Sequence, residues 1–153
     1  MRKGFTLIEL IVVVGILATL TGLSYLTLFG RIQKTDVTSV MASLVADLRS
    51  QQVRAMVGEQ VNGSGSYGIH IENTRYVLFS GSYVADDPTN TAIPVSGAHV
   101  STTFPGNTVL FTPGNGEISG FSSTGNAIAV TSVEGGSTKT VRLNQYGVVT
   151  SEE

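Results

Sequence analysis

Residues 5–29 read FTLIELIVVVGILATLTGLSYLTLF, and Glu9 is the only charged side chain in this run. A helix rises about 1.5 Å per residue, so the run predicts about 37 Å of apolar helix, enough to cross the ~30 Å hydrocarbon core of a bilayer. Arg2 and Lys3 precede it. Positive charge on that side predicts an N-terminus kept in the cytoplasm and a C-terminal part exported across the cytoplasmic (inner) membrane. The apolar stretch of a cleaved secretory signal would be shorter, so we expect a single-pass anchor.

Glu9 is the unusual residue of this segment. A carboxylate inside a spanning helix costs about 2.5–3.5 kcal/mol at the centre of the bilayer on insertion scales, and less near the interface. That cost predicts a positively charged partner for Glu9. The simpler alternative is that Glu9 reaches the cytoplasmic headgroups, as in an ordinary membrane anchor.

The residues around Glu9 carry a family resemblance. The sequence RKGFTLIE at residues 2–9 resembles the start of the type IV filament family, which comprises the type IV pilins and the pseudopilins of type II secretion. The resemblance implies that residues 1–4 are a leader and that a prepilin peptidase cuts between Gly4 and Phe5. It also implies that the new Phe5 amine is N-methylated and that the apolar run is retained.

The same resemblance implies a set of partners. An assembly ATPase and a polytopic platform protein would extract the subunit from the membrane lipid into an extracytoplasmic filament, whose core is the bundled helices of residues 5–29. Cleavage creates an ammonium group at Phe5, four residues before Glu9, on the same or an adjacent subunit. Buried ion pairs add little net stability, and their better attested role is fixing register. We therefore predict that Glu9 selects the axial stagger between neighbouring subunits.

Beyond residue 29 the helical pattern continues and becomes amphipathic. Apolar residues recur at intervals of three and four, which predicts a helix over residues 30–58 that packs on a globular head. Gly58 is the predicted stop, and residues 62–66 (NGSGS) form a predicted loop. The predicted apolar stripe consists of Ile32, Val37, Val40, Met41, Leu44, Val45, Leu48, Ala55 and Met56.

Residues 66–153 change to an alternating pattern, which predicts a β-rich head. The predicted fold class is therefore α+β, with a long N-terminal helix packed on an antiparallel β-rich head, as in pilins. Residues 81–97 lack periodicity and are predicted to be a surface loop. Strands are predicted over residues 67–71, 75–79, 99–104, 108–112, 117–121, 127–133, 138–144 and 148–150.

The head offers little catalytic chemistry. The chain has no Cys and two His, His70 and His99, and it lacks the nucleophile elbow, the P-loop and the zinc-protease motif. Neither enzymatic activity nor a cofactor is expected. Asp86, Asp87 and Asn90 are weak calcium candidates because calcium takes oxygen ligands, although Asp-Asp-Pro is also a good turn.

Two further segments loosely resemble the H-type minor pseudopilins and their minor-pilin relatives. They are LVADLRSQQVRAM at residues 44–56 and VRLNQYGVV at residues 141–149, and they imply a minor subunit. This group includes minor pilins of DNA uptake, so a role in DNA uptake or adhesion is one alternative. The formal charge of −2 and the few exported cations, Arg75, Lys139 and Arg142, argue against DNA as a partner. The other alternative is a single-pass membrane protein with an extracytoplasmic β domain that binds a ligand.

Overall fold

The computed structural model describes residues 7–58 and 65–153, with residues 22–36 described by their backbone alone. One helix, α1, spans Leu7–Val57. A 3₁₀ turn follows later in the chain, at Pro105–Asn107. The strands are β1 (Tyr67–Ile71), β2 (Arg75–Ser80), β3 (Thr91–Pro94), β4 (Ala98–Thr102), β5 (Thr108–Phe111), β6 (Ala127–Ser132), β7 (Thr138–Leu143) and β8 (Val149–Glu152).

The strands form two antiparallel sheets of four. The first has the order β3-β2-β1-β5 and the second the order β4-β6-β7-β8. The second half of α1 packs against strands of both sheets, so the core lies between the helix and the two sheets. A helix combined with antiparallel sheets confirms the predicted α+β class.

None of the helices within residues 7–58 and 65–153 is long and apolar enough to cross a membrane. The predicted span over residues 5–29 is therefore not confirmed.

The seated segment of α1, residues 37–57, buries one face against the head. Val40 and Val45 of the predicted stripe are partly buried, Met56 is half-exposed, and Ile32 lies among the side chains that are not described. Gln51 is a polar member of the buried face that the apolar pattern did not predict, with 2% of its surface exposed. The fully buried members of the predicted stripe are Val37, Met41, Leu44, Leu48 and Ala55.

Helix α1 ends where the sequence predicts. Gly58 has a φ of +72°, a left-handed conformation that glycine adopts without a steric penalty and that commonly terminates helices. Its N–H donates to the carbonyl oxygen of Ala55 (3.2 Å), which also accepts from the N–H of Gly114 (2.9 Å). The end of the helix is thus bonded to a loop of the head.

A single side chain, Gln52, joins this end of α1 to two loops. Its Nε2 donates to the carbonyl oxygens of Gly116 (2.9 Å) and Tyr146 (2.6 Å). Gly147 permits this approach, because a Cβ there would lie 2.8 Å from both Gln52 Nε2 and the Phe111 ring. We call this arrangement the Gln52 clamp.

The prediction of a strand over residues 117–121 is wrong. Only Ile118 forms a bridge, to Phe111. Gly116 and Gly120 flank it with φ values of +66° and +63°, and this left-handed backbone interrupts an extended strand on both sides. The other predicted strands form, with bounds that differ by at most two residues.

The loop predicted over residues 81–97 contains a strand, β3. It pairs antiparallel with β2, with Ala92 opposite Val77 and Thr91 opposite Leu78. Most of its residues are exposed, because β3 is an edge strand held by backbone hydrogen bonds. A strand of this kind shows no alternation of apolar and polar residues.

Candidate assembly surface

The exposed segment of α1, residues 7–21, is apolar around its whole circumference. Every residue in it is exposed, and its large apolar side chains have 45–77% of their surface accessible. A helix that is apolar on all sides is normally covered by protein or lipid, and apolar patches of this extent mark interaction surfaces. These side chains are Leu7, Ile8, Leu10, Ile11, Val12, Val13, Val14, Ile16, Leu17 and Leu20.

Glu9 lies in the first turn of α1, inside this apolar surface. A carboxylate there is favoured by about 0.3–1 kcal/mol through the partial positive charge of the helix N-terminus. Its predicted partner, the amine of Phe5, and the predicted cleavage point after Gly4 lie outside the described residues. Cleavage, methylation and the register role of Glu9 therefore stay predictions.

A polar contact ties the seated segment to the first sheet. The hydroxyl of Tyr76, on β2, donates to Oδ2 of Asp47 at 2.6 Å. Burial, together with the Asp47 carboxylate, raises the pKa of Tyr76 well above its ordinary value. The hydroxyl is therefore protonated throughout the physiological pH range, and it holds the middle of the seated segment against the sheet.

A groove of about 310 Å³ runs between the seated segment and strands β7 and β8. Its apolar lining includes Val45, Val141 and Val149, and its charged members are Arg49 and Glu152. Ligand pockets combine an apolar lining with a few convergent polar groups. This groove shows no such cluster in the described part of the chain, so it does not suggest a catalytic site.

The calcium candidates lie in a hydrogen-bonded turn. Oδ1 of Asp87 accepts from the backbone N–H (2.8 Å) and the hydroxyl (2.6 Å) of Thr89, and these bonds lower the pKa of Asp87. The side-chain amide of Asn90 donates to the carbonyl oxygen of Val84 at 2.8 Å. Asp86 takes a positive φ of 61°. These interactions account for the Asp-Asp-Pro sequence as a turn.

The three candidates do share one surface cavity, of about 220 Å³. Arg75 also lines it and brings a positive charge, whereas calcium takes six to eight oxygen ligands. Within residues 7–58 and 65–153, no group of three His, Cys, Asp or Glu side chains could hold a metal ion. The geometry gives the calcium hypothesis no support.

The two histidines lie in different sheets. His70, on β1, stacks on Tyr83 with ring centroids 3.8 Å apart, and its Nδ1 shares a 2.9 Å hydrogen bond with the hydroxyl of Thr108. Burial lowers the pKa of His70, an effect that Glu72 partly opposes. His70 thus fastens the loop that carries Tyr83 to the sheet.

Two of the three cations of the head, Arg75 and Lys139, form ion pairs with carboxylates. Arg75 forms an ion pair with Glu72, and Lys139 forms one with Glu152, each at 2.6 Å. Arg142, three residues beyond Lys139 on β7, is exposed. Residues three apart on a strand point to opposite faces, so Lys139 and Arg142 do not form a continuous basic stripe.

Comparison with known proteins identifies the start of the chain. Residues 1–25 match the family model of the prokaryotic N-terminal methylation motif, the signature of type IV pilins and pseudopilins. This match confirms the resemblance found at residues 2–9, and the motif is that of structural, pilin-type proteins. It covers the whole exposed segment of α1 and ends at residue 25, in the part of α1 that is described by its backbone alone. Searches of curated proteins and of solved structures each found no match.

Proposed function

We propose that this chain is a minor structural subunit of a type IV filament or of a type II secretion pseudopilus. A prepilin peptidase removes residues 1–4, and Phe5 becomes the N-methylated terminus. Residues 5–29 anchor the subunit in the cytoplasmic membrane, N-terminus inside, until assembly moves it into an extracytoplasmic filament. The observation that carries this proposal is the methylation motif over residues 1–25.

The exposed segment of α1 supports the proposal energetically. Complete burial of a large apolar side chain contributes about 1.5–3 kcal/mol, so covering ten half-exposed ones contributes on the order of 10 kcal/mol per subunit. This exceeds the cost of about 2.5–3.5 kcal/mol for a carboxylate in an apolar environment. Membrane lipid covers the segment before assembly, and the helices of neighbouring subunits cover it afterwards.

Under this proposal, Glu9 fixes the axial register between neighbouring subunits. Hydrophobic contacts are non-directional, so an apolar helix alone does not select one axial offset along its neighbour. A carboxylate that meets the Phe5 ammonium of an adjacent subunit selects one offset, because any other leaves a buried charge without a partner. The assembly ATPase and the platform protein supply the work of extraction.

Processing provides the test of this function. The full-length chain is expressed with and without a prepilin peptidase, and the intact mass and N-terminal residue are measured. We expect a chain that begins at N-methyl-Phe5 only when the peptidase is present. Gly4→Val should block cleavage, and the matched control Gly15→Val, in the exposed segment, should be processed normally. An intact Met1 start in the presence of the peptidase would overturn the proposal in favour of a single-pass membrane protein with a ligand-binding β domain.

A further inference from the structure

The loop between β2 and β3, residues 81–90, is held in shape by its own hydrogen bonds. The backbone N–H groups of Asp87 and Asn90 donate to the carbonyl oxygens of Val84 (3.4 Å) and Asp87 (3.0 Å). The side-chain amide of Asn90 donates to the same carbonyl oxygen of Val84 at 2.8 Å. The loop therefore has a shape that does not depend on its contacts with the sheet.

Tyr83 attaches this loop to the first sheet through three contacts. Its ring stacks on that of His70 on β1, with centroids 3.8 Å apart and planes 10° from parallel. The ring also meets the edge of Phe79 on β2, at 5.5 Å between centroids, and the hydroxyl donates to Oε1 of Glu72 at 3.2 Å. Phe79 is 3% exposed, and Tyr83 is one of the side chains that cover it.

The hydrogen bonds of His70 assign the position of its ring proton. Nδ1 lies 2.9 Å from the neutral hydroxyl of Thr108, on β5, and that hydroxyl donates to the carbonyl oxygen of Gly106 at 2.9 Å. A hydroxyl has one hydrogen to donate, so Nδ1 of His70 is the donor to Thr108 and carries the proton of the neutral ring. A second proton therefore binds at Nε2 and leaves this chain of hydrogen bonds intact.

The closed loop favours the neutral form of His70. The stacked Tyr83 ring removes water from one face of the imidazole, and burial disfavours the charged form of a histidine. Burial is the main cause that lowers the pKa of His70, and the Glu72 carboxylate opposes it. The other charged groups of this surface are Arg75, which is paired with Glu72, and Asp86, which lines one cavity with Arg75 and Tyr83.

The two groups that bond or face the ring of His70 keep their charge where histidine titrates. The hydrogen bond from Arg75 lowers the pKa of Glu72, so Glu72 stays an anion. Burial raises the pKa of Tyr83, so its hydroxyl stays protonated. Near the ordinary pKa of histidine, about 6.5, the charge that changes beneath the Tyr83 ring is therefore that of His70.

We propose that His70 and Tyr83 form a pH-sensitive latch, which holds the loop of residues 81–90 on the first sheet while His70 is neutral and releases it on protonation. The closed loop binds the proton of His70 less tightly than the open loop does. Its stability is therefore complete above about pH 6.5 and falls as the pH drops from there through the lowered pKa of His70. Release exposes the ring of Phe79, and the latch does not depend on the assembly function proposed above.

The pKa of His70 provides the first test. It is measured by NMR on the full-length chain in detergent, from the Cε1–H signal of His70, in the wild type, in Tyr83→Ala and in the control Tyr146→Ala. Tyr83→Ala should raise the pKa of His70 because the ring no longer covers it, and Tyr146→Ala, in the turn between β7 and β8, should leave it unchanged. An unchanged or lower pKa of His70 in Tyr83→Ala would overturn the latch, since Tyr83 would then not disfavour the charged ring.

The response of the loop provides the second test. The ring signals of Tyr83 should move towards those of a free tyrosine between about pH 7 and about pH 5, in step with the titration of His70. The ratio of released to closed loops should rise by up to about tenfold for each pKa unit that separates Tyr83→Ala from the wild type. His70→Gln should abolish this response, and the control His99→Gln, on β4, should retain it. Tyr83 signals that do not change with pH, or that change equally in His70→Gln, would refute the latch.

Discussion

The exposed and seated segments of α1 belong to one continuous helix but differ in what covers them. Residues 7–21 expose every side chain, although almost all are apolar, whereas residues 37–57 bury a stripe against the head and leave the other face to solvent. The seated segment is amphipathic because its partner is on one side. The exposed segment has no polar face, which is the pattern expected of a helix whose partners lie on all sides. The difference teaches that one segment of the helix has its partner within the chain, whereas the other has its partners outside the chain under the proposed function.

The strongest test of this contrast removes the charge from the exposed segment. Glu9→Leu should leave the head folded but reduce incorporation into filaments by roughly 100-fold or more. The reason is that breaking a buried ion pair costs about 3–5 kcal/mol and each 1.4 kcal/mol is a factor of ten. Incorporation is measured by immunoblot of sheared filaments against the membrane fraction. Glu134→Leu, in an exposed turn of the head, is the control, and unchanged incorporation of Glu9→Leu would refute the register role.

The second test compares the same substitution in both segments. Leu44→Ala should lower the free energy of unfolding of the head by about 2–5 kcal/mol, because Leu44 is completely buried. Leu17 is 57% exposed, so Leu17→Ala should change the free energy of unfolding of the head by less than about 0.5 kcal/mol. Denaturant unfolding followed by tyrosine fluorescence measures both. Equal losses would show that the exposed segment folds as part of the head.

The third test sharpens the description of the seated segment. Tyr76→Phe removes the hydrogen bond to Asp47 and should cost about 1.5–3 kcal/mol, as expected for a bond to a charged group. Tyr83→Phe is the matched control, because its hydroxyl also donates to a carboxylate, that of Glu72, but at 3.2 Å and near the surface. Its loss should be below about 1 kcal/mol. Similar losses of stability for the two variants would show that the hydrogen bond from Tyr76 to Asp47 contributes no more than the bond from Tyr83 to Glu72 at the surface.

Local sequence patterns predicted the structure well where buried and exposed residues alternate regularly along the chain. Strand β1 alternates apolar residues and forms over the predicted residues 67–71, and the helix ends at the predicted Gly58. Strand β3 escaped prediction because three of its four residues are exposed and only Ile93 packs against the core, which leaves no alternating pattern in the sequence. The strand predicted over residues 117–121 failed because two glycines with positive φ interrupt it.

The features discussed for function were likewise predictable only in part from the sequence. The methylation motif is contiguous, so residues 2–9 sufficed to recognise it. The burial of Gln51 could not be predicted, since a glutamine in an apolar stripe carries no signal of what it meets. Tyr67 of β1 lines a small cavity together with Gln51, and it is brought there only when the first sheet packs on α1.

The Gln52 clamp sets an order of events during biosynthesis. Its two carbonyl partners, Gly116 and Tyr146, are 64 and 94 positions further along the chain, and polypeptides emerge from the ribosome N-terminus first. The helix is therefore made long before the atoms that secure its last turn exist. A nascent chain whose final hairpin is still inside the ribosome cannot close its head, so the head is completed only after Tyr146 has emerged.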